Sequence, residues 1–117
     1  MPKRSLSGTW VHPADGDNYP TELTMKVVES TGAFGVASWW TETSGHPDGT
    51  VYRHTFTYGE GAPTLLMSSQ RPGDGSWASP HPMDHDRWYV EGGTIAAARE
   101  RMREFFTELG YTKKVSG

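Results

Sequence analysis

The sequence predicts an α+β fold in which an antiparallel, meander-like sheet of five to six strands packs against one C-terminal amphipathic helix. Apolar residues recur at helical spacing between Thr94 and Leu109. Segments before Val90 instead alternate apolar and polar residues, as half-buried strands do. Short turn-rich connections separate these segments, which favours antiparallel neighbours. We expect a single domain spanning residues 1–117, with flexible ends at 1–5 and 112–117.

The helix is predicted from one apolar arc with matching end residues. At the helical step of about 100° per residue, its apolar side chains fall within an arc about 100° wide, as in a core-facing stripe. These side chains are Ile95, Ala98, Met102, Phe105, Phe106 and Leu109. Thr94 suits the N-cap because its hydroxyl can accept from a free amide. Gly110 suits the left-handed position that ends many helices.

The rest of this helix carries charges of both signs. Arg99, Arg101 and Arg103 could suggest phosphate contacts, but the glutamates between them cancel that charge. We therefore predict a solvated face with i,i+3 ion pairs, Glu100 with Arg103 and Arg101 with Glu104.

Six segments before the helix are predicted strands. They are Leu6 to Val11, Thr21 to Glu29, Phe34 to Thr41, Val51 to Tyr58, Thr64 to Ser69 and the short Arg87 to Val90. The alternation is clear in the second segment, where Leu23, Met25 and Val27 share one side. Between the third and fourth segments, the run from His46 to Gly49 suits a tight turn.

Aromatic residues give the predicted sheet two further features. Trp39 and Trp40 are adjacent in one strand, so their side chains face opposite ways. One of them is therefore either covered on the second face of the sheet or offered to a partner. His54 shares its side with Tyr52 and Phe56, where a hydrogen-bonded core histidine is expected more often than a ligand-binding one.

The stretch from Arg71 to Asp86 shows no periodicity and contains three prolines. Loops of this length inside compact domains are commonly functional or disordered. We expect the large apolar ring of Trp77 to lie against the protein's own surface or against a partner.

The same loop holds residues suited to metal binding or acid–base chemistry. His81, His85 and Asp86 place two imidazoles and a carboxylate within six residues, and His54 could join them from the sheet. Two histidines four apart usually rely on helical spacing to align, which Pro80 and its neighbouring prolines disfavour. Capping of turns by these side chains is the alternative. We expect no cofactor, with a divalent metal at this cluster as the alternative.

The five residues from Leu6 to Trp10, Leu-Ser-Gly-Thr-Trp, resemble the opening strand of avidin-like and lipocalin-like barrels. That strand begins with Gly-x-Trp or Gly-Thr-Trp. The resemblance implies a ligand-binding barrel, whereas the long C-terminal helix departs from the avidin pattern.

The composition excludes several classes of function. The absence of cysteine removes disulfides, zinc–thiolate sites, iron–sulfur clusters and thiol nucleophiles. Eleven basic and fourteen acidic residues give a net charge of -3, so no nucleic acid or membrane partner is expected. No signal-peptide core or membrane-length apolar run is present, and we expect a cytoplasmic protein. The excess of Arg over Lys, with abundant Gly, Trp and Ala, is typical of a bacterial or phage genome rich in GC.

From these patterns we predict a small non-enzymatic binding or inhibitor module that contacts another protein, as a monomer or homodimer. Tryptophans in particular offer a large contact area at small entropic cost. The predicted binding residues are Trp39, Trp40, Trp77, His81, His85 and Asp86. One alternative is a small metal-assisted or acid–base enzyme that uses the histidine loop. Another is a barrel-like protein that binds a small ligand. A small ligand bound under the helix is a further possibility, which would show as a closed apolar pocket holding Trp and Tyr edges.

Overall fold

The computed structural model describes residues 5–14, 21–71, 73–79, 81–82 and 88–114. Within these ranges it confirms the α+β class, with a meander-like antiparallel sheet and a C-terminal α-helix. The strands are β1 (Gly8–His12), β2 (Leu23–Thr31), β3 (Val36–Ser44), β4 (Tyr52–Gly59), β5 (Leu66–Ser69), β6 (His81–Pro82) and β7 (Thr112–Lys113). The helix is α1 (Ile95–Glu108), and a single 3₁₀ turn, Ala33–Gly35, joins β2 to β3. Among the described residues, no helix has the length and apolar character needed to span a membrane.

The sheet runs in the order β6-β5-β4-β3-β2-β1-β7, and all neighbouring strands are antiparallel. Consecutive strands from β1 to β6 are neighbours, so this part of the sheet is a meander. After α1, the chain returns to the opposite edge, where Lys113 of β7 pairs with Trp10 of β1. The segment expected as a C-terminal tail therefore begins with a strand, and α1 connects the two edges of the sheet.

The predicted sixth strand, Arg87 to Val90, is wrong for its described residues, 88–90, and Arg87 lies outside the described residues. The pairing of Tyr89 with the sheet is an isolated bridge with Thr64. The amide of Val90 donates to the carbonyl of Pro63, but Pro63 has no amide to return, so the ladder does not extend. The sixth strand is instead β6, which lies inside the predicted loop and pairs with β5.

The resemblance to ligand-binding barrels holds for the first strand only. Gly8, Thr9 and Trp10 do open β1, and the indole of Trp10 donates to the carbonyl of Leu6 at 3.0 Å. The described strands form an open sheet with β6 and β7 at its two edges, which corrects the barrel expectation.

Alternation along the strands decides which side chains form the core. The inward positions of β3, Ala37, Trp39, Thr41 and Thr43, are all buried. Trp40 lies on the outward face of the sheet and is half-buried. The two adjacent tryptophans therefore point to opposite sides, as predicted, and Trp39 is the core residue.

The helix covers the inward face of the sheet with the predicted apolar arc. Its fully buried residues are Ala98, Met102 and Phe106, and Ile95 and Phe105 pack against the core with partial exposure. The residues predicted for the two ends of the helix are both confirmed. The amide of Ala97 donates to the hydroxyl of Thr94 at 3.1 Å, and Gly110 has a left-handed φ of 101° after the last turn.

A buried ion pair ties the helix to the sheet. Glu29 occupies an inward position of β2, and Arg99 of α1 donates to both of its carboxylate oxygens at 2.8–3.0 Å. The Glu29 side chain is 7% exposed and that of Arg99 is 18% exposed. The same carboxylate accepts from the indole of Trp39 at 2.8 Å and from the amide of Leu6 at 3.2 Å. These hydrogen bonds join β2 to the N-terminal segment at Leu6, to β3 at Trp39 and to α1 at Arg99.

Arg99 corrects the prediction that all three helix arginines lie on a solvated face. The two predicted i,i+3 pairs do form, with Arg101 at 3.2 Å from Glu104 and Arg103 at 3.5 Å from Glu100. Arg99 instead reaches the sheet.

The electrostatics of Glu29 follow from this environment. Burial by itself would raise the pKa of its carboxyl group, because it disfavours the charged form. The hydrogen bonds from Arg99, Trp39 and Leu6 and the positive charge of Arg99 favour the carboxylate and outweigh burial. The pKa of Glu29 therefore lies below its ordinary value of 4.5.

We predict that Glu29→Gln lowers the free energy of unfolding by about 3 kcal/mol at pH 7, because it leaves the buried guanidinium of Arg99 without its counter-charge. The matched control is Glu104→Gln, which removes an exposed partner from Arg101 and should cost less than about 1 kcal/mol. Urea unfolding of both variants measures the difference. Equal losses would contradict the structural role of the buried pair.

Glu29→Gln should also change how the unfolding free energy depends on pH. Because folding lowers the pKa of Glu29, its contribution to stability is complete above about pH 4.5 and is lost as the pH falls through the folded-state pKa. We expect the unfolding free energy of the wild-type protein to decrease over this window more steeply than that of Glu29→Gln. Parallel pH profiles would show that Glu29 does not contribute.

Candidate functional site

An open cavity lies between the C-terminal half of α1 and the adjoining end of the sheet. Its volume is about 290 Å³. The apolar wall consists of Leu23, Met25, Phe56, Met67, Phe105, Phe106 and Leu109. The remaining lining residues are His12, Thr41, Thr43, His46, Tyr52, His54 and Tyr111. Aliphatic, aromatic and imidazole side chains therefore meet in one space.

The cavity exists because the inward-facing side chains of β3 become smaller along the strand. Trp39 fills the space below the first half of α1, and the next two inward residues are the small Thr41 and Thr43. The opposite helix residue, Leu109, lies at the rim and is 43% exposed. No described side chain fills the intervening volume, so a space remains between the sheet and the end of the helix.

His12 brings the end of β1 to the cavity. Its Nδ1 lies 2.8 Å from the carbonyl oxygen of Pro13, and because a carbonyl can only accept, Nδ1 carries the proton. The ring is buried, and it packs edge-on against Tyr111 at a centroid distance of 5.4 Å. A Cβ atom at Gly110 would lie only 2.6 Å from Nε2 of His12. The glycine that ends α1 thus also makes room for this imidazole.

His54 faces the cavity from β4. It shares the inward side of the strand with Tyr52 and Phe56, as predicted, and its ring stacks beside that of Phe56 at 6.3 Å. In the described part of the structure, neither of its ring nitrogens has a hydrogen-bond partner. Burial lowers the pKa of His54 from its ordinary value of 6.5, because it disfavours the charged imidazolium. His54 is therefore neutral at pH 7.

His46 and Tyr52 add two further polar side chains to the lining. The amide of Gly49 donates to the carbonyl of His46 at 2.9 Å, which closes the tight turn predicted for this segment. That turn places the imidazole of His46 edge-on against the ring of Tyr52, with centroids 4.8 Å apart. Because Tyr52 precedes His54 by two residues, the two side chains share one side of β4.

The predicted metal or acid–base cluster is not assembled in the described part of the chain. His81 lies on the edge strand β6 and is exposed, and its pairing with Met67 places it two strands away from His54. His85 and Asp86 lie outside the described residues. Among the residues that the structure describes, no group of three histidine or acidic side chains could hold a metal ion.

The tryptophans predicted for binding lie in different environments. Trp39 is fully buried and donates to Glu29, so its indole is a core group. Trp40 lies on the outward face of the sheet. Trp77 is 40% exposed in a turn that extends β5, where it forms a bridge with Gln70. None of the three lines the cavity.

The sequence analysis places His54 at an inward-facing strand position but does not predict that His12 and His46 line the same cavity. Their meeting depends on strand register and on the return of the chain at Gly110, which local patterns do not contain. Thr41 could have indicated the cavity, because it is a small polar residue at a position that the alternation of β3 places in the core.

We predict that Gly110→Ala destabilises the protein more than Gly92→Ala. Both glycines have positive φ, 101° and 91°, so both substitutions incur left-handed strain of about 1–2 kcal/mol. Only at Gly110 would the new methyl group displace His12, since the space around Gly92 is open. We expect an additional cost of about 1 kcal/mol or more from this overpacking, measured by equilibrium unfolding. Equal losses of stability in the two variants would show that the position of His12 does not require a glycine at residue 110.

Comparison of the chain with protein-family models, with curated proteins and with solved structures finds no match. The fold and the cavity are therefore the basis for any functional proposal.

Proposed function

We propose that this protein binds a small, mainly apolar molecule in the cavity between α1 and the sheet. The observation that carries the proposal is a preformed space of about 290 Å³ lined mostly by apolar and aromatic side chains, with a few polar groups. Ligand sites typically have this composition, and the smallest of them have volumes of about 300 Å³. The cavity is roughly twice the ~150 Å³ space that accommodates benzene in an apolar core. A bicyclic ring system is the size that suits it.

Structural features at the mouth also support binding. Leu109 and Phe105 keep apolar surface exposed beside the opening, and a ligand would remove that surface from water. The walls come from α1 and from strands rather than from long loops, so little conformational entropy is lost when the site is filled.

The test is titration with naphthalene, a bicyclic probe without polar groups. Fragments of this size reach dissociation constants on the order of 0.1 mM. We expect 1:1 binding, and at a probe concentration equal to the dissociation constant the unfolding free energy should rise by about 0.4 kcal/mol. Fluorescence titration and denaturant unfolding in the presence of the probe measure the two quantities.

Two matched substitutions locate the binding. Leu109→Trp places a large ring at the rim of the cavity and should abolish or strongly weaken binding. Val28→Trp makes a similar change on the outward face of β2, where the side chain is 50% exposed, and should leave binding unchanged. Equal effects of the two variants, or an absence of binding to the wild-type protein, would contradict the proposal.

A second proposal is contact with another protein through the turn that carries Trp77. It is favoured by the 40% exposure of this indole, because exposed tryptophans commonly anchor interfaces. We expect Trp77→Ala to leave the unfolding midpoint nearly unchanged while weakening binding of a captured partner by about 2 kcal/mol or more. A large loss of stability would instead make Trp77 a structural residue.

A further inference from the structure

Three polar side chains of the cavity lie close together along the chain, in addition to those of His12, Thr41, Thr43 and Tyr111 elsewhere in the lining. His46, Tyr52 and His54 all come from β4 and the turn before it. Within the described residues, the side-chain polar atoms of these three have no hydrogen-bond partner. The C-terminal half of α1 and the residue that follows it contribute Phe105, Phe106 and Leu109, which have no polar side-chain atom. The cavity therefore combines apolar side chains from the helix with side chains that can form hydrogen bonds.

Among the residues that the structure describes, no Lys, Arg, Asp or Glu contributes to the cavity wall. Burial keeps His54 in its neutral form, so it does not supply a positive charge for an anion. A carboxylate or ammonium group that entered this space would lose its hydration without gaining a counter-charge, which is strongly unfavourable.

A neutral imidazole has one acceptor nitrogen and one N–H donor, and the phenol of Tyr52 can both donate and accept. A hydroxyl group has the same dual character, so it can match either side chain in either orientation. Aromatic rings on both sides, Phe56 on the sheet and Phe105 on the helix, favour a flat molecule through edge-on and offset ring contacts.

We propose that the site selects uncharged, flat bicyclic aromatic molecules that carry a hydroxyl group, with His54 as the polar group that binds this hydroxyl. This inference rests on the proposed function and adds a ligand class to it. Specificity arises because a bare hydrocarbon leaves His54 without a partner and an anion is poorly solvated at this wall.

The test compares three probes of equal ring size, 2-naphthol, naphthalene and 2-naphthoate, by titration at pH 7.5. We expect 2-naphthol to bind about tenfold more tightly than naphthalene, the difference that one well-formed hydrogen bond can supply. We expect 2-naphthoate to bind more weakly than 2-naphthol despite its similar shape.

Three variants assign the preference to His54. His54→Phe keeps the ring but removes its hydrogen bonding, and it should make the affinities for 2-naphthol and naphthalene equal. His54→Gln restores polar atoms on this side chain and should retain part of the preference. The control His81→Phe changes an exposed histidine outside the cavity and should retain the full preference.

The failures of the two proposals are distinguishable. If wild-type protein binds none of the three probes, the proposed function fails and the ligand class fails with it. If naphthalene binds as tightly as 2-naphthol, or 2-naphthoate binds most tightly, the ligand class is wrong while binding in the cavity stands. A preference for 2-naphthol that survives His54→Phe would also overturn the role of His54.

Discussion

The contact between Glu29 and Arg99 fixes how the helix lies on the sheet. A buried carboxylate is costly unless it is paired and hydrogen-bonded, so the native arrangement must bring its donors to one point. Those donors are the guanidinium of Arg99, the indole of Trp39 and the amide of Leu6. Glu29 and Trp39 are also direct cross-strand neighbours, so a shift in strand register would separate them. The pair thereby links helix position, strand register and the N-terminal segment.

The location of the cavity follows from this constraint. Arg99 anchors the first half of α1, where Trp39 fills the core beneath it. Toward Leu109 the inward side chains of β3 become small, and the cavity lies between them and the helix. The chain then turns at Gly110 and returns to the sheet edge as β7, which closes one side with His12 and Tyr111. Side chains therefore fill the space around the ion pair, whereas a cavity remains near the C-terminal end of α1.

Much of the fold could be predicted from local patterns, because alternation and helical spacing depend on neighbouring residues. Glu29 stands in the same alternation as Leu23 and Met25, and a carboxylate at that position already indicates a buried partner. The partner itself is 70 residues away, and no local pattern identifies it. The meeting of His12 with Gly110 depends in the same way on long-range pairing. The short strand β6 was missed because a proline-rich segment has no alternation to recognise.

We propose that a ligand enters between α1 and the inward face of the sheet. Intermolecular nuclear Overhauser effects between bound 2-naphthol and methyl-labelled protein test this claim most directly. The cavity predicts contacts to the methyl groups of Leu23, Met25 and Leu109. Contacts to Val28 and Val36 on the outward face, with none to the cavity methyl groups, would contradict it.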